Sequence, residues 1–158
     1  MRPLKALISL DEALGMCMDL ATPVERTETV PLLDSLRRVV AEDVRAPIDV
    51  PLVDRAAMDG YAVVAEDTFR AGKFAPVKLR IVETLYADSV PRRRVARGKA
   101  TEVATGSTLP AGADAVVMVE DTERDEGFVR IYRPVHPGEN VSRRGEDIRK
   151  GSVVVQKG

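Results

Sequence analysis

The sequence has 158 residues, 44% hydrophobic and 31% charged, which excludes a disordered chain and gives room for one ordinary domain or two small ones. Lys and Arg number 24 against 25 Asp and Glu, so no global field draws the chain to nucleic acid or an anionic membrane, and any anion site must be local. The single cysteine excludes an intrachain disulfide and a multi-cysteine zinc site, no apolar run reaches the ~20 residues that span a bilayer, and aromatics at 4% offer little for base stacking.

Met1 to Lys5 lacks the long apolar stretch of a signal peptide, and together with the lone thiol this points to the cytoplasm. Ser9-Leu10-Asp11-Glu12 reads as a capping box. Leu10, Leu14, Cys17, Met18 and Ala21 then recur at helical spacing, which predicts a helix over Leu10 to Leu20, ended near Thr22-Pro23. Cys17 falls on the apolar side and reads as a buried core thiol, since no basic neighbour favours a thiolate. Glu28 to Leu32 reads as extended, and Asp34 or Ser35 as the cap of a short helix over Ser35 to Ala41. Val44 opens a further extended segment that Pro47 and Pro51 turn into a linker or an edge.

From Tyr61 the texture is β. Tyr61–Val64, Val77–Leu85, Ala100–Val103, Ala115–Val119 and Phe128–Tyr132 are short apolar or alternating runs, separated by Gly, Pro, Asp and Asn. The alternation is clearest over Val77 to Glu83, as in a strand wet on one face. Val153 to Val155 reads as a last strand. Strands this short and this closely spaced predict a small barrel or sandwich. The fold class expected is therefore mixed α+β and β-rich, with two compact parts. One is the β block over residues 47–140; the other combines residues 1–46 with residues 141–158, so that the β block is an insertion between Pro- and Gly-marked hinges.

Three loops carry residue types suited to chemistry. In Pro51-Leu52-Val53-Asp54-Arg55-Ala56-Ala57-Met58-Asp59-Gly60, two aspartates flank a small-residue stretch that lets a ligand or another surface approach the backbone. In Ala104-Thr105-Gly106-Ser107-Thr108, three hydroxyls beside a glycine suit phosphate or oxyanion oxygens, with no lysine in P-loop register. In Gly138 to Gly151, adjacent carboxylates Glu146 and Asp147 suit hydrated Mg²⁺, and Arg143 and Arg144 suit forked hydrogen bonds to an oxyanion. Each loop also reads as an ordinary solvated turn, and the residues alone leave both readings open. His136, between prolines, reads as a solvated loop residue, and Arg92-Arg93-Arg94 as a solvated tip.

These loops, in this order, resemble those of the molybdopterin molybdenumtransferase family, called MoeA in bacteria and the E domain in gephyrin. The first matches an aspartate followed by S-A-M-D-G-Y-A-V, with Ala56 in place of the serine and Ala57 to Val63 intact. In the second, Thr105-Gly106, Pro110, Gly112 to Val117 and Glu120 fit, with Ser107 where alanine is usual. In the third, Gly138, Asn140, Val141, Gly145-Glu146-Asp147-Ile148 and Gly151 fit, while Ser142 takes a usual arginine position that Arg143 or Arg144 would supply.

The resemblance implies insertion of molybdate into molybdopterin, presented as adenylylated molybdopterin, with Mg²⁺ involved and AMP released. It implies catalytic roles for Asp59, Thr105 and Asp147, substrate contacts for Gly106, Ser107, Arg143, Arg144 and Gly145, and metal contacts for Asp59, Glu146 and Asp147. It implies an elongated α+β dimerisation domain carrying the β insertion, and a homodimer whose cleft joins this region to a pterin-binding domain. That domain and a C-terminal β domain follow in the family and do not fit after Gly151, so the chain is expected to be a fragment or a split gene product, inactive by itself. The alternative is a non-catalytic dimerisation or scaffold module of the same family.

Overall fold

The computed structural model describes residues 7–158. The chain divides into two compact units, one running up to Ala41 and including Gly158, the other residues 42–157. In the first, helix α1 spans Leu10–Leu20, as its periodicity predicts. Ser9 Oγ accepts the Glu12 amide at 3.1 Å and Glu12 Oε2 accepts the Ser9 amide at 2.9 Å, which closes the capping box. Asp11 and Glu12 place negative charge on the first turn, where the helix dipole favours it.

Two expectations for this unit are corrected. Cys17 is exposed, and no residue of α1 is buried. Periodicity gives the helix an apolar stripe but does not supply a surface to cover it. The second helix does not form over residues 35–41. Only Leu32–Asp34 makes a 3₁₀ turn, and Ser35 closes it, its hydroxyl donating to the Leu32 carbonyl at 2.6 Å. Arg37 at φ 67 lies in the left-handed region and ends any helical path there.

The second unit holds strands β1 (Val44–Arg45), β2 (Arg55–Ala56) and β3 (Gly60–Val63), and the single-turn helix α2 (Ala65–Thr68). Then come β4 (Val77–Leu85), β5 (Lys99–Val103), β6 (Ala115–Met118), β7 (Thr122–Asp125), β8 (Phe128–Ile131), β9 (Val141–Ser142) and β10 (Val153–Val155). Six of them form a sheet in the order β6-β3-β5-β4-β8-β7, antiparallel except for the parallel pair β4 and β5. The sheet curls as a half-barrel and stays open, with β6 and β7 at its edges. The β6 edge is covered by the chain leading into β9: the Val116 amide donates to the Glu139 carbonyl at 3.0 Å, and Asn140 Nδ2 donates to the Val116 carbonyl at 2.9 Å. Strand β7 has no apolar alternation, because it is a water-facing edge, and the sequence gives no sign of it.

The sheet is covered on both faces. Tyr61 and Val63 enter one apolar cluster with Leu79, Ala100, Val117, Val129 and Ile131. Ala62, between them, enters a second with Ala56, Leu85, Val103, Val116 and Val141. The period-2 alternation of strand side chains requires this split. Gly60, at the start of β3, admits no side chain: a Cβ there would lie 1.9 Å from the Val117 carbonyl oxygen of β6. Two small pairings complete the unit, β1 with β10 and β2 with β9. No helix among the described residues is long and apolar enough to cross a membrane.

Candidate functional site

The short strand β2 gathers the three loops. Its residue Arg55 faces Ser142 of β9 and bridges to Thr108 beyond β5. The Ala56 amide donates to the Ser107 carbonyl at 3.0 Å, the Gly106 amide to the Ala56 carbonyl at 2.8 Å, and the Leu109 amide to the Asp54 carbonyl at 2.9 Å. The Ala57 amide donates to the Asn140 carbonyl at 2.9 Å. Ala56 turns into the core at 2% exposure, so alternation sends Arg55 outward.

Asp59 sits just before β3, where the close approach of Gly60 to β6 fixes its backbone. Its carbonyl accepts the Val119 amide at 3.0 Å. Its Oδ1 accepts both the Thr105 amide at 2.6 Å and the Thr105 hydroxyl at 2.7 Å. The amide bond first, and the hydroxyl bond second, hold the Asp59 carboxyl below its ordinary range. Gly106 follows at φ 82, a conformation that favours glycine, and the chain turns back to β2.

The loop after β9 is held by carboxylates. Asp54 accepts the Arg144 amide at 2.8 Å and the Arg143 guanidinium at 2.9 Å. Asp49 accepts the Lys150 amide at 2.7 Å and Arg144 Nε at 2.7 Å. The amide of Arg144 lowers the carboxyl of Asp54 most, and that of Lys150 lowers the carboxyl of Asp49 most. Glu146 Oε2 accepts the Arg143 amide at 2.8 Å and the Ser142 hydroxyl at 3.1 Å. The Gly145 amide donates to Pro51 and the Asp147 amide to Val50. Asp147 therefore has a fixed backbone and an exposed side chain.

A groove of about 430 Å³ opens between these loops, lined by Asp49, Arg55, Thr105, Gly106, Ser142 and Asp147 over an apolar floor that includes Ile48, Val50 and Leu52. Asp59 lines a neighbouring hollow of about 380 Å³ with Tyr61, Tyr86, Glu102 and Arg124, and its bond to Thr105 joins the two.

A family model described as the MoeA N-terminal region (domain I and II) matches residues 8–158. The chain belongs to the MoeA family. It is 41% identical over 136 residues to the molybdopterin molybdenumtransferase of Bacillus subtilis, covering 84% of this chain and 32% of that protein. It is 39% identical over 132 residues to the Synechococcus elongatus enzyme of the same name, covering 83% and 33%. A crystal structure of the molybdopterin biosynthesis MoeA protein from Pyrococcus horikoshii superposes with a TM-score of 0.91 at 44% identity, over 97% of this chain and 40% of that one. The chain thus spans about a third of the length of the curated relatives it matches.

Within this MoeA region, the residues singled out in sequence separate into two groups. Thr105, Gly106 and Asp147 share the groove, and Asp59 is one hydrogen bond from it. Ser107 is fully buried, so its hydroxyl is not presented to a substrate. Arg143 and Arg144 stand in ion pairs with Asp54 and Asp49 rather than on the groove wall, and Gly145 is buried. Asp59, Glu146 and Asp147 do not form a ready-made cage: among the described residues no group of three His, Cys, Asp or Glu stands together to hold a metal ion. Sequence reasoning missed the anchoring roles of Asp49 and Asp54, whose partners lie about a hundred residues away, and passed over Arg55. The available signal for Arg55 was its place next to Ala56 in a loop otherwise short of cations.

Proposed function

We propose that this chain forms one wall of the active site of a cytoplasmic molybdopterin molybdenumtransferase. In this reading, molybdate is inserted into the dithiolene of adenylylated molybdopterin and AMP is released. The observation that carries the reading is the convergence of Thr105, Gly106 and Asp147 on one groove, with Asp59 tied to it through Thr105. The names of the relatives supply the chemistry.

Asp59 stays charged at neutral pH, and its Oδ2 takes no hydrogen bond among the described residues. The single proton of the Thr105 hydroxyl is directed at Asp59, so Thr105 is a positioning residue for that carboxylate rather than a donor to the substrate. Asp147 offers a second exposed carboxylate, on the groove that Asp59 adjoins through Thr105. Single carboxylates of this kind fit Mg²⁺, which takes one or two of them and completes its shell with waters and substrate phosphates. Asp59 and Asp147 would hold it; Glu146 is the poorer ligand, since its Oε2 already accepts from Ser142 and Arg143. Bound Mg²⁺ supplies charge neutralisation at phosphate oxygens.

The opposite wall in this reading comes from a pterin-binding domain in a homodimer. The exposed apolar residues of α1, among them Leu10, Leu14 and Met18, support a second copy as partner. Residues 1–46 and 141–158 then make the elongated dimerisation domain and residues 47–140 the insertion; the pairing of β1 with β10 supports that division. In a chain that also carries the pterin-binding domain, Asp59→Asn and Asp147→Asn are expected to abolish AMP release with the fold intact by circular dichroism. The present chain alone is expected to release none. Full turnover in both variants would leave only a non-catalytic dimerisation module.

A further inference from the structure

Two guanidiniums near the groove are already spent. Arg143 is paired with Asp54 at 2.9 Å and Arg144 with Asp49 at 2.7 Å. Arg55 is different: it lines the groove, it is exposed, and it makes no ion pair or side-chain hydrogen bond among the described residues. Its backbone is fixed on both edges, by Ser142 of β9 and by Thr108. The side chain therefore projects from a rigid base into a cleft whose other ionic groups are the already neutralised Asp49 and Asp147, which is unpaired among the described residues. A guanidinium that makes no ion pair on a concave wall suits a tetrahedral oxyanion, which it grips with two parallel hydrogen bonds.

We propose that Arg55 is the oxyanion-binding residue of this groove, taking either the phosphate of a phosphate ester or molybdate itself. The proposal rests on the reading of the groove as a substrate wall, and it assigns to Arg55 the role expected from the sequence for the adjacent Arg143 and Arg144. Asp147, on the same wall, remains free for a metal or a donor, so the groove offers one group of each sign to a ligand that carries anionic oxygens and a cation together.

The test is titration of the chain with AMP, and separately with sodium molybdate, at constant ionic strength set by chloride. The Arg55 Nε–Hε signal and the Thr105 and Gly106 amides are followed by NMR. A saturable shift at Arg55 is expected with millimolar anion. Arg55→Gln is expected to weaken binding about tenfold, the loss of one charge-assisted hydrogen bond. Arg55→Lys, which keeps the charge but loses the fork, is expected to fall between. Saturation with AMP alone identifies the phosphate ester as the source, and saturation with molybdate alone identifies the metal oxyanion. No saturation with either, or equal affinity in Arg55→Gln, overturns the proposal. The outcome is separable from that of the active-site reading: anion binding at Arg55 alongside full turnover in Asp59→Asn and Asp147→Asn keeps the anion site and rejects the catalytic wall.

Discussion

The loop after β5 is bonded to β2 and the loop after β9 to the chain leading into β2, but they are held there by different bonds. The first is held by backbone: Ala56 to Ser107, Gly106 to Ala56 and Leu109 to Asp54 are amide–carbonyl contacts. The second has backbone bonds too, from Gly145 to Pro51 and from Asp147 and Ile148 to Val50, but it adds carboxylates, with Asp49, Asp54 and Glu146 accepting amides and guanidiniums of residues 143, 144 and 150. Backbone bonds are indifferent to side-chain charge, whereas carboxylate anchors respond to substitution and to pH. One groove thus has a fixed side carrying Thr105 and a side, carrying Asp147, whose backbone bonds are supplemented by titratable anchors at residues 143, 144 and 150.

The largest effect is expected from breaking the fixed side at its base. Gly60→Ala puts a Cβ 1.9 Å from the Val117 carbonyl oxygen, where neither strand has room to yield. A loss of about 3 kcal/mol or more is expected, the upper range for overpacking. Thermal or denaturant unfolding measures it, and a melting point like that of the unsubstituted chain would mean that β3 and β6 are not so closely apposed.

A smaller and more local effect is expected on the other side. Asp54→Ala removes the acceptor of the Arg144 amide and the Arg143 guanidinium, but leaves the Asp54 carbonyl to accept Leu109. Global stability is expected to fall by less than about 1 kcal/mol, since exposed ion pairs are screened by solvent. Exchange of the Arg144 amide is expected to accelerate while the Gly106 and Leu109 amides keep their protection. Equal acceleration of both loops would contradict the division between them.

How much of this was visible in sequence follows the same division between near and far. The capping box of α1 lies within four residues, and the alternation of β4 within nine, so both were legible to their boundaries. Strands β2 and β9 are two residues each and exist only through pairing with each other, so no local pattern announces them. The motif loops singled out Asp59, Thr105 and Asp147 as candidates, but gave no sign that Thr105 would turn its hydroxyl to Asp59. Adjacent arginines looked like the anion grip because sequence cannot show that Asp49 and Asp54, about ninety to a hundred residues earlier, have claimed them. Cys17 shows the limit from the other direction, where an apolar stripe was read as burial and the chain leaves it exposed.

Acid sharpens the comparison with a smaller signal. Asp49 and Asp54 have folded-state carboxyls held below their ordinary range, chiefly by the Lys150 and Arg144 amides. A lowered folded value means that their contribution is complete above the unfolded value and disappears as pH falls through the folded one. Below about pH 4 the Arg144 and Lys150 amides are expected to lose exchange protection first. The Gly106 and Ala56 amides, bonded to carbonyls, are expected to hold until global unfolding. Thr105 follows the acid-sensitive group despite its place in the backbone-held loop, because its amide donates to Asp59.

The smallest effect, and one of opposite sign, is expected at Ser107. Its hydroxyl is fully buried and makes no hydrogen bond with the described residues. Its backbone, by contrast, is in use, the amide donating to Ala104 and the carbonyl accepting from Ala56. Ser107→Ala keeps both of those bonds and removes a polar group that lost its hydration on folding, at the cost of a void no larger than one oxygen atom. Leaving a buried hydroxyl unsatisfied costs roughly 1–3 kcal/mol, more than so small a void, so a gain of about 0.5–1 kcal/mol is expected. The measurement is the denaturant midpoint at an unchanged slope, which isolates stability from changes in the unfolded chain. A loss instead of a gain would show that the hydroxyl has a partner, and that the backbone-held side of the groove also draws on side-chain bonding.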